Sequence, residues 1–191
     1  MLIIQVLLGG ITRLTGSGLS ITEWKPILGA IPPLNELDWQ KAFELYQQKT
    51  GQFKYLNQDF TISDFKFIYF WEWMHRNWAR LISVVFLIPF IFFLKKKYFT
   101  PFMISRLLAL FALGAAQGLI GWIMVKSGLN DDNLYVSHIR LAVHFISALV
   151  LIGFTFWFAM SLLITERELV YKQSLKTLTI LIIAVLMVQL T

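Results

Sequence analysis

Cysteine is absent from the 191-residue chain. Disulfides, thiolate metal sites and cysteine nucleophiles are therefore excluded, and the absence carries no information on redox compartment. Charge is sparse, at 15% of residues, and there are only three histidines and five prolines. No low-complexity tract occurs, and the opening MLIIQVLLGG does not read as a secretory signal, being short and without a basic leader region. The formal net charge of +6 does not point to nucleic acid. The lysines and arginines cluster in short connectors between apolar runs, where the positive-inside rule accounts for them.

What is present is apolar: 57% of residues are hydrophobic and 16% aromatic, with a mean hydropathy of +0.65. Soluble domains rarely pass about half apolar, and several runs here approach membrane-spanning length, so the chain reads as an integral membrane protein in contact with lipid. Residues 1–12 are apolar. Residues 13–65 form a long connection broken at Pro26 and Pro32-Pro33. Inside it DWQKAFELY, 38–46, reads as a short amphipathic helix with Trp39, Phe43 and Tyr46 on one side, expected to lie on the membrane surface. Spanning helices are expected over 66–94, 101–125 (opened by Pro101) and 137–164, separated by KKKY at 95–98 and SGLNDDN at 127–133. A charged connector, 165–176, precedes the apolar stretch 177–191.

Connector charge orients these spans. Lys95, Lys96 and Lys97 share one connector, and Arg167, Lys172 and Lys176 another. The 127–136 turn has neither lysine nor arginine, and 13–65 has five in 53 residues. The lysine turn and 165–176 are thus expected on the cytoplasmic side, with the other two connections outside. The helices over 66–94 and 137–164 then run parallel.

The segment WEWMHRNWAR, 71–80, puts an acid, an imidazole and two guanidinium groups at the mouth of an apolar helix. Such groups are costly in a span and need partners or a polar task. His75 lies 19 residues before Leu94, and His144 lies 20 before Ile164. At about 1.5 Å per residue both stand roughly 30 Å above those ends. Two imidazoles at one depth on parallel helices suit a bis-histidine haem, whose iron takes axial ligands from opposite sides. Glu72 shares a face with His75, and Arg140 with His144. Arg76, Arg80 and Arg140 are candidates for haem propionates, because a guanidinium pairs bidentately with a carboxylate. Gly114, Gly118 and Gly121 would let a backbone or a flat macrocycle approach.

Plainer readings stand beside these. Trp71, Trp73, Trp78 and Arg80 fit an interfacial belt, and the glycine spacing fits ordinary helix packing. A single histidine near an interface is commonly a hydrogen-bonded core residue. His138 is a third candidate, at a helix start. Glu72 has a structural alternative, an ion pair with Arg76 or Arg140.

Four stretches carry a resemblance: GGITRLTGSGLSITEWKPILGAIPP (9–33), FKFIYFWEWMHRNWAR (65–80), QGLIGWIMVKSGL (117–129) and VSHIRLAVH (136–144). In order, and over nearly the whole chain, they closely resemble the haem A synthase family, in its cysteine-free mitochondrial and proteobacterial branch. The resemblance implies an all-α polytopic membrane helix bundle of eight spans in two similar halves, each with a histidine pair for a haem. It implies oxidation of a ring methyl of haem O to the formyl group of haem A, for cytochrome oxidase assembly. The family's Glu-x-x-His motif falls on Glu72 and His75, with the glutamate catalytic, and the partner ligand falls on His144; His138 stays outside the ligand set. Haem b belongs to the second half, with its own two histidines.

The chain resembles the first half alone, with truncated first and fifth helices. Residues 1–164 are expected to form the haem-binding half, with 13–65 as its outer loop. Residues 165–191 are the expected connector and start of the second half, QLT at 189–191 resembling the opening of the fifth helix. The expected setting is a bacterial inner membrane, less readily a mitochondrial one, beside a haem O supplier (haem O synthase), with a homo-oligomer or a separate second-half chain as candidate partners. In the expected mechanism His75 and His144 flank the iron of the substrate haem. Glu72 accepts a proton or stabilises positive charge at the methyl carbon, and the loop with Arg13 and Trp24 caps the site. A bis-histidine cytochrome that only passes electrons is the alternative, and an inactive remnant a third.

Overall fold

A computed structural model of the chain describes residues 1–23, 25, 28–130, 133–164 and 173–188. Trp24, residues 165–172 of the charged connector and 189–191 therefore lie outside the described residues. All regular structure among the described residues is helical. In order come α1 (Leu2–Leu14), a 3₁₀ turn (Leu28–Ala30), α2 (Glu36–Lys49), α3 (Gly51–Leu56), α4 (Ile62–Lys95), α5 (Pro101–Lys126), α6 (His138–Leu163) and α7 (Gln173–Val188). Two compact units divide the chain, Met1–Phe154 and Thr155–Thr191. Helices α4, α5 and α6 are long and apolar enough to cross a membrane, and α1 is a shorter apolar helix. The all-helical, polytopic expectation is met.

Local chemistry sets the helix limits. α4 begins at Ile62, four residues earlier than apolar periodicity suggests, because Thr61 and Asp64 form a capping box. The Thr61 hydroxyl accepts the Asp64 N–H at 3.3 Å, and the Asp64 carboxylate accepts the Thr61 N–H at 2.9 Å. Its far end closes at Lys97, a left-handed residue with φ 58° inside the lysine turn. α5 opens with Pro101 in its first turn, and the Thr100 hydroxyl accepts the Met103 N–H. At 34 residues, α4 is roughly 51 Å long against a hydrocarbon core of about 30 Å. A substantial part of it must project.

The projecting end carries the outer core. Phe65 and Ile68 of α4 are buried with Phe43 and Tyr46 of α2, and Trp39 and Phe53 pack around them. The Phe65 ring lies 5.1 Å from that of Phe43 and 5.4 Å from that of Tyr46. The amphipathic pattern of 38–46 is thus real. Its apolar side, however, is buried against α4 and is not turned to lipid, which corrects the expectation of a surface-lying helix. Tyr46 is fully enclosed and its hydroxyl is satisfied, donating to Gln52 and accepting from the Asn57 amide at 2.8 Å.

The outer connections interlock. The Gly51 N–H donates to Asn130 O at 3.0 Å, the Gln52 amide donates to Gly16 O at 3.0 Å, and the Arg13 guanidinium stands over the Tyr135 ring at 5.5 Å. The 13–65 connection and the 127–136 turn therefore occupy one end of the bundle, as the charge argument requires. Gly16, with φ 65°, supplies the turn out of α1 that an L side chain resists. Further along α4, a ring pair joins it to α5, Phe86 and Phe111, at 6.3 Å.

Two outcomes are expected. Phe65→Ala empties the centre of the outer core and should destabilise it by about 3–5 kcal/mol, read by chemical denaturation of the detergent-solubilised protein. Burial pushes the Tyr46 phenol up to about 12, with the Asn57 bond opposing and the Glu72 charge assisting. An unfolded tyrosine titrates near 10, so the folded chain holds the proton longer. The resulting stability is fully present below about pH 10 and is lost as pH rises toward 12. Tyr46→Phe should remove that alkaline loss, read as thermal midpoint against pH.

Candidate functional site

The outer face of α4 grips the main chain of the strap that follows α1. Glu72 is 2% exposed. Its carboxylate accepts the Ser20 hydroxyl and the Ile21 N–H, each at 2.7 Å, and pairs with the Arg76 guanidinium one turn on. Arg76 also donates to Ile21 O at 3.1 Å, so the ion pair holds both polar groups of one residue. One turn further, Arg80 donates to Asn77 Oδ1 at 2.7 Å and to Lys25 O at 3.2 Å. Trp73 and Asn77 both donate to Ala30 O, at 3.1 and 2.8 Å. The structural alternative for Glu72 is thus realised with Arg76. Trp73 and Arg80 hold the strap in addition to any interfacial role, and the Trp78 indole donates to Met1 O at 3.1 Å.

Each imidazole lies against a glycine of a neighbouring helix. A Cβ built on Gly9 of α1 would stand 3.3 Å from His75 Nε2. One built on Gly121 of α5 would stand 2.8 Å from His144 Cε1, a distance side chains do not tolerate. The Gln5 amide donates to His75 O at 3.2 Å. The Gln117 amide donates to His144 O at 2.9 Å and meets His144 Nδ1 at 3.2 Å, while its carbonyl accepts the Ser147 hydroxyl. Both rings face helices of the bundle. Of the three glycines expected to admit a close neighbour, Gly121 does so, whereas a Cβ on Gly114 or Gly118 would meet nothing within 4 Å.

The remaining candidates lie apart from this pair. Arg140 is exposed and donates to Ile123 O at 3.1 Å. With Trp122, Lys126 and Ser137 it lines an open cleft of about 690 Å³ at the outer end of α5 and α6. His138 is exposed at the start of α6. Sequence reasoning missed Ser20, Gln5 and Gln117. Polar residues inside apolar helices were the available signal for the two glutamines.

The residues present fit a haem better than a bare ion. No group of three or more histidine, cysteine, aspartate or glutamate side chains gathers among the described residues. Haem needs only the two axial donors, since its macrocycle supplies the rest. The glycine at each ring gives the imidazole the space it occupies, and the Gln5 carbonyl oxygen and Trp71 indole N–H are buried without a partner among the described residues.

These features define a class: a polytopic helical membrane protein that presents two half-buried imidazoles from separate helices. Within it the chain belongs to the COX15-CtaA family, described as cytochrome oxidase assembly protein, which it matches over residues 1–191. Among curated relatives it is similar to the heme A synthase of Maricaulis maris, at 53% identity over 82% of this chain and 45% of the relative. That of Flavobacterium johnsoniae is 43% identical over 99% of this chain and 55% of the relative. That of Novosphingobium aromaticivorans is 44% identical over 100% and 54%. The chain spans about half the length of the curated relatives it matches. No solved structure matches it.

Removing one side of the clamp separates its parts. Arg76→Leu leaves a buried carboxylate without its counter-charge and should destabilise the outer end by about 3–5 kcal/mol. Ser20→Ala removes one hydrogen bond and should cost only about 1–3 kcal/mol. Hydrogen exchange at the Ile21 amide, followed by mass spectrometry, should accelerate in both and more in Arg76→Leu.

Proposed function

We propose that this chain carries a haem site of a haem A synthase, with residues 1–164 as the haem-binding half. The two glycine-backed imidazoles carry the reading: His75 and His144 would hold the haem through its iron. The substrate is haem O, whose ring methyl, with one water supplying the oxygen, undergoes a four-electron oxidation to the formyl group of haem A, the four electrons leaving to an acceptor outside the chain and the four protons to solvent. The iron supplies the redox chemistry. The chain's own residues position and enclose.

Glu72 stands one turn from His75 with its acceptor positions taken by Ser20, Ile21 and Arg76. Three of its roughly four lone-pair positions are so occupied, which fixes the position of its charge without requiring any of those donors to withdraw before a proton is accepted. Its strap closes the outer end of α4, in the capping role expected of the 13–65 loop. Arg140 at the start of α6, Lys126 at the end of α5, and Arg76 and Arg80 on α4 are the basic groups for the propionates. The proposed setting is a bacterial inner membrane, where a haem O synthase supplies the substrate and cytochrome oxidase receives the product.

A bis-histidine electron carrier is the second reading. It is favoured by the complete set of structural partners on Glu72, since electron transfer needs no acid at the ring edge. Glu72→Ala distinguishes the two. It should leave the Soret band of the purified protein nearly intact and abolish haem A in extracts of membranes supplied with haem O. Undiminished haem A would end the catalytic role of Glu72. A wild-type protein with no Soret band would support an inactive remnant.

A further inference from the structure

The two imidazole settings are copies of one device. α1 contains Gln5-Val-Leu-Leu-Gly9 and α5 contains Gln117-Gly-Leu-Ile-Gly121. The match extends to Gln-x-Leu-x-Gly-x-Ile, and each segment runs on to Ser-Gly-Leu, at 17–19 and 127–129. Residues four apart share a helix face. In both copies the glutamine donates to the main-chain carbonyl of a histidine on the partner helix, His75 at 3.2 Å and His144 at 2.9 Å. In both, the glycine one turn on gives the imidazole of that same histidine its space. The Ser-Gly-Leu ends also meet: a Cβ on Gly128 would stand 2.8 Å from Leu19 Cδ2. Helices α1 and α4 thus set one ring between them, and α5 and α6 the other.

We propose that Gln5 and Gln117 are positioning residues for the two haem-ligand imidazoles, each fixing the backbone of its histidine while the glycine one turn on fixes where the ring lies. The inference rests on the reading of His75 and His144 as ligands. In an apolar span a glutamine amide has few alternative partners, so this bond is a specific lock between helices. The copies are not equal. The Gln117 carbonyl takes the Ser147 hydroxyl and its amide reaches the ring nitrogen Nδ1 of His144. The corresponding carbonyl of Gln5 is buried without a partner among the described residues. A ligating imidazole gives one nitrogen to the metal and presents the other to a neighbour that tunes its basicity. At His144 that neighbour is Gln117, whose amide end can offer either nitrogen or oxygen. Ser147, which also donates to His144 O at 2.9 Å, can cover that carbonyl if the amide turns.

Two measurements on the full chain test this. In haem-free protein, carbethoxylation of His144 by diethyl pyrocarbonate, quantified by mass spectrometry, should rise several-fold in Gln117→Leu. In haem-loaded protein, Gln117→Leu should weaken haem retention about 10–100-fold and shift the midpoint potential of the remaining haem, because the ring loses its polar partner. Gln117→Glu should lower that potential. Gln5→Leu should act in the same direction at His75, more weakly. Circular dichroism checks that each variant keeps its helices. Unchanged labelling together with unchanged potential in Gln117→Leu would overturn the proposal. His75→Ala and His144→Ala are the control arm: if they keep a wild-type low-spin spectrum, it is the ligand assignment that fails.

Discussion

The outer half of the structure depends on a buried ion pair. Glu72 and Arg76, one helical turn apart, bind the two polar groups of Ile21, and the carboxylate also takes the Ser20 hydroxyl. A carboxylate enclosed to this degree persists only where donors surround it. Three do, and two of them come from the strap. The strap therefore completes Glu72 as much as Glu72 anchors the strap. Without that exchange the outer turns of α4 would expose a charge, and the segment leaving α1 would lose its course past the base of α2.

Below the clamp, the same helix presents His75 to α1, and α5 presents a matching arrangement to His144. The two tasks of α4 are separated by register. Glu72, Arg76 and Arg80 follow one another at intervals of four and face the strap, whereas His75 is offset toward Gly9. A single helix can thus secure an outer loop and present a ring to the bundle interior without either duty disturbing the other.

Much of this was legible in the sequence. The spans α4, α5 and α6 follow from apolar length, and the side on which each connection lies follows from the lysine turn. The Trp39, Phe43 and Tyr46 spacing marks α2. What escaped was chemistry that periodicity does not register. Thr61 and Asp64 extend α4 by a capping box that four residues spell out. α3 begins at Gly51, a poor helix former, and depends on Thr50 as its cap. The histidine pair was visible as charge in an apolar run, but the choice between Arg76 and Arg140 as partner of Glu72 required coordinates. The glutamines stood out as polar residues in apolar helices, but their partners did not, because each bonds a main-chain carbonyl, which every residue possesses.

That last property has an evolutionary side. The groups that α4 holds along the strap are mostly peptide groups, at Ile21, Lys25 and Ala30. A hold on peptide groups is indifferent to side-chain identity at the residues it holds. The outer surface of the strap can therefore diverge in response to whatever docks there, while the helix beneath keeps its register. Recognition and anchorage are then inherited separately, with Ser20 and the turn at Gly16 as the strap positions where the two remain tied.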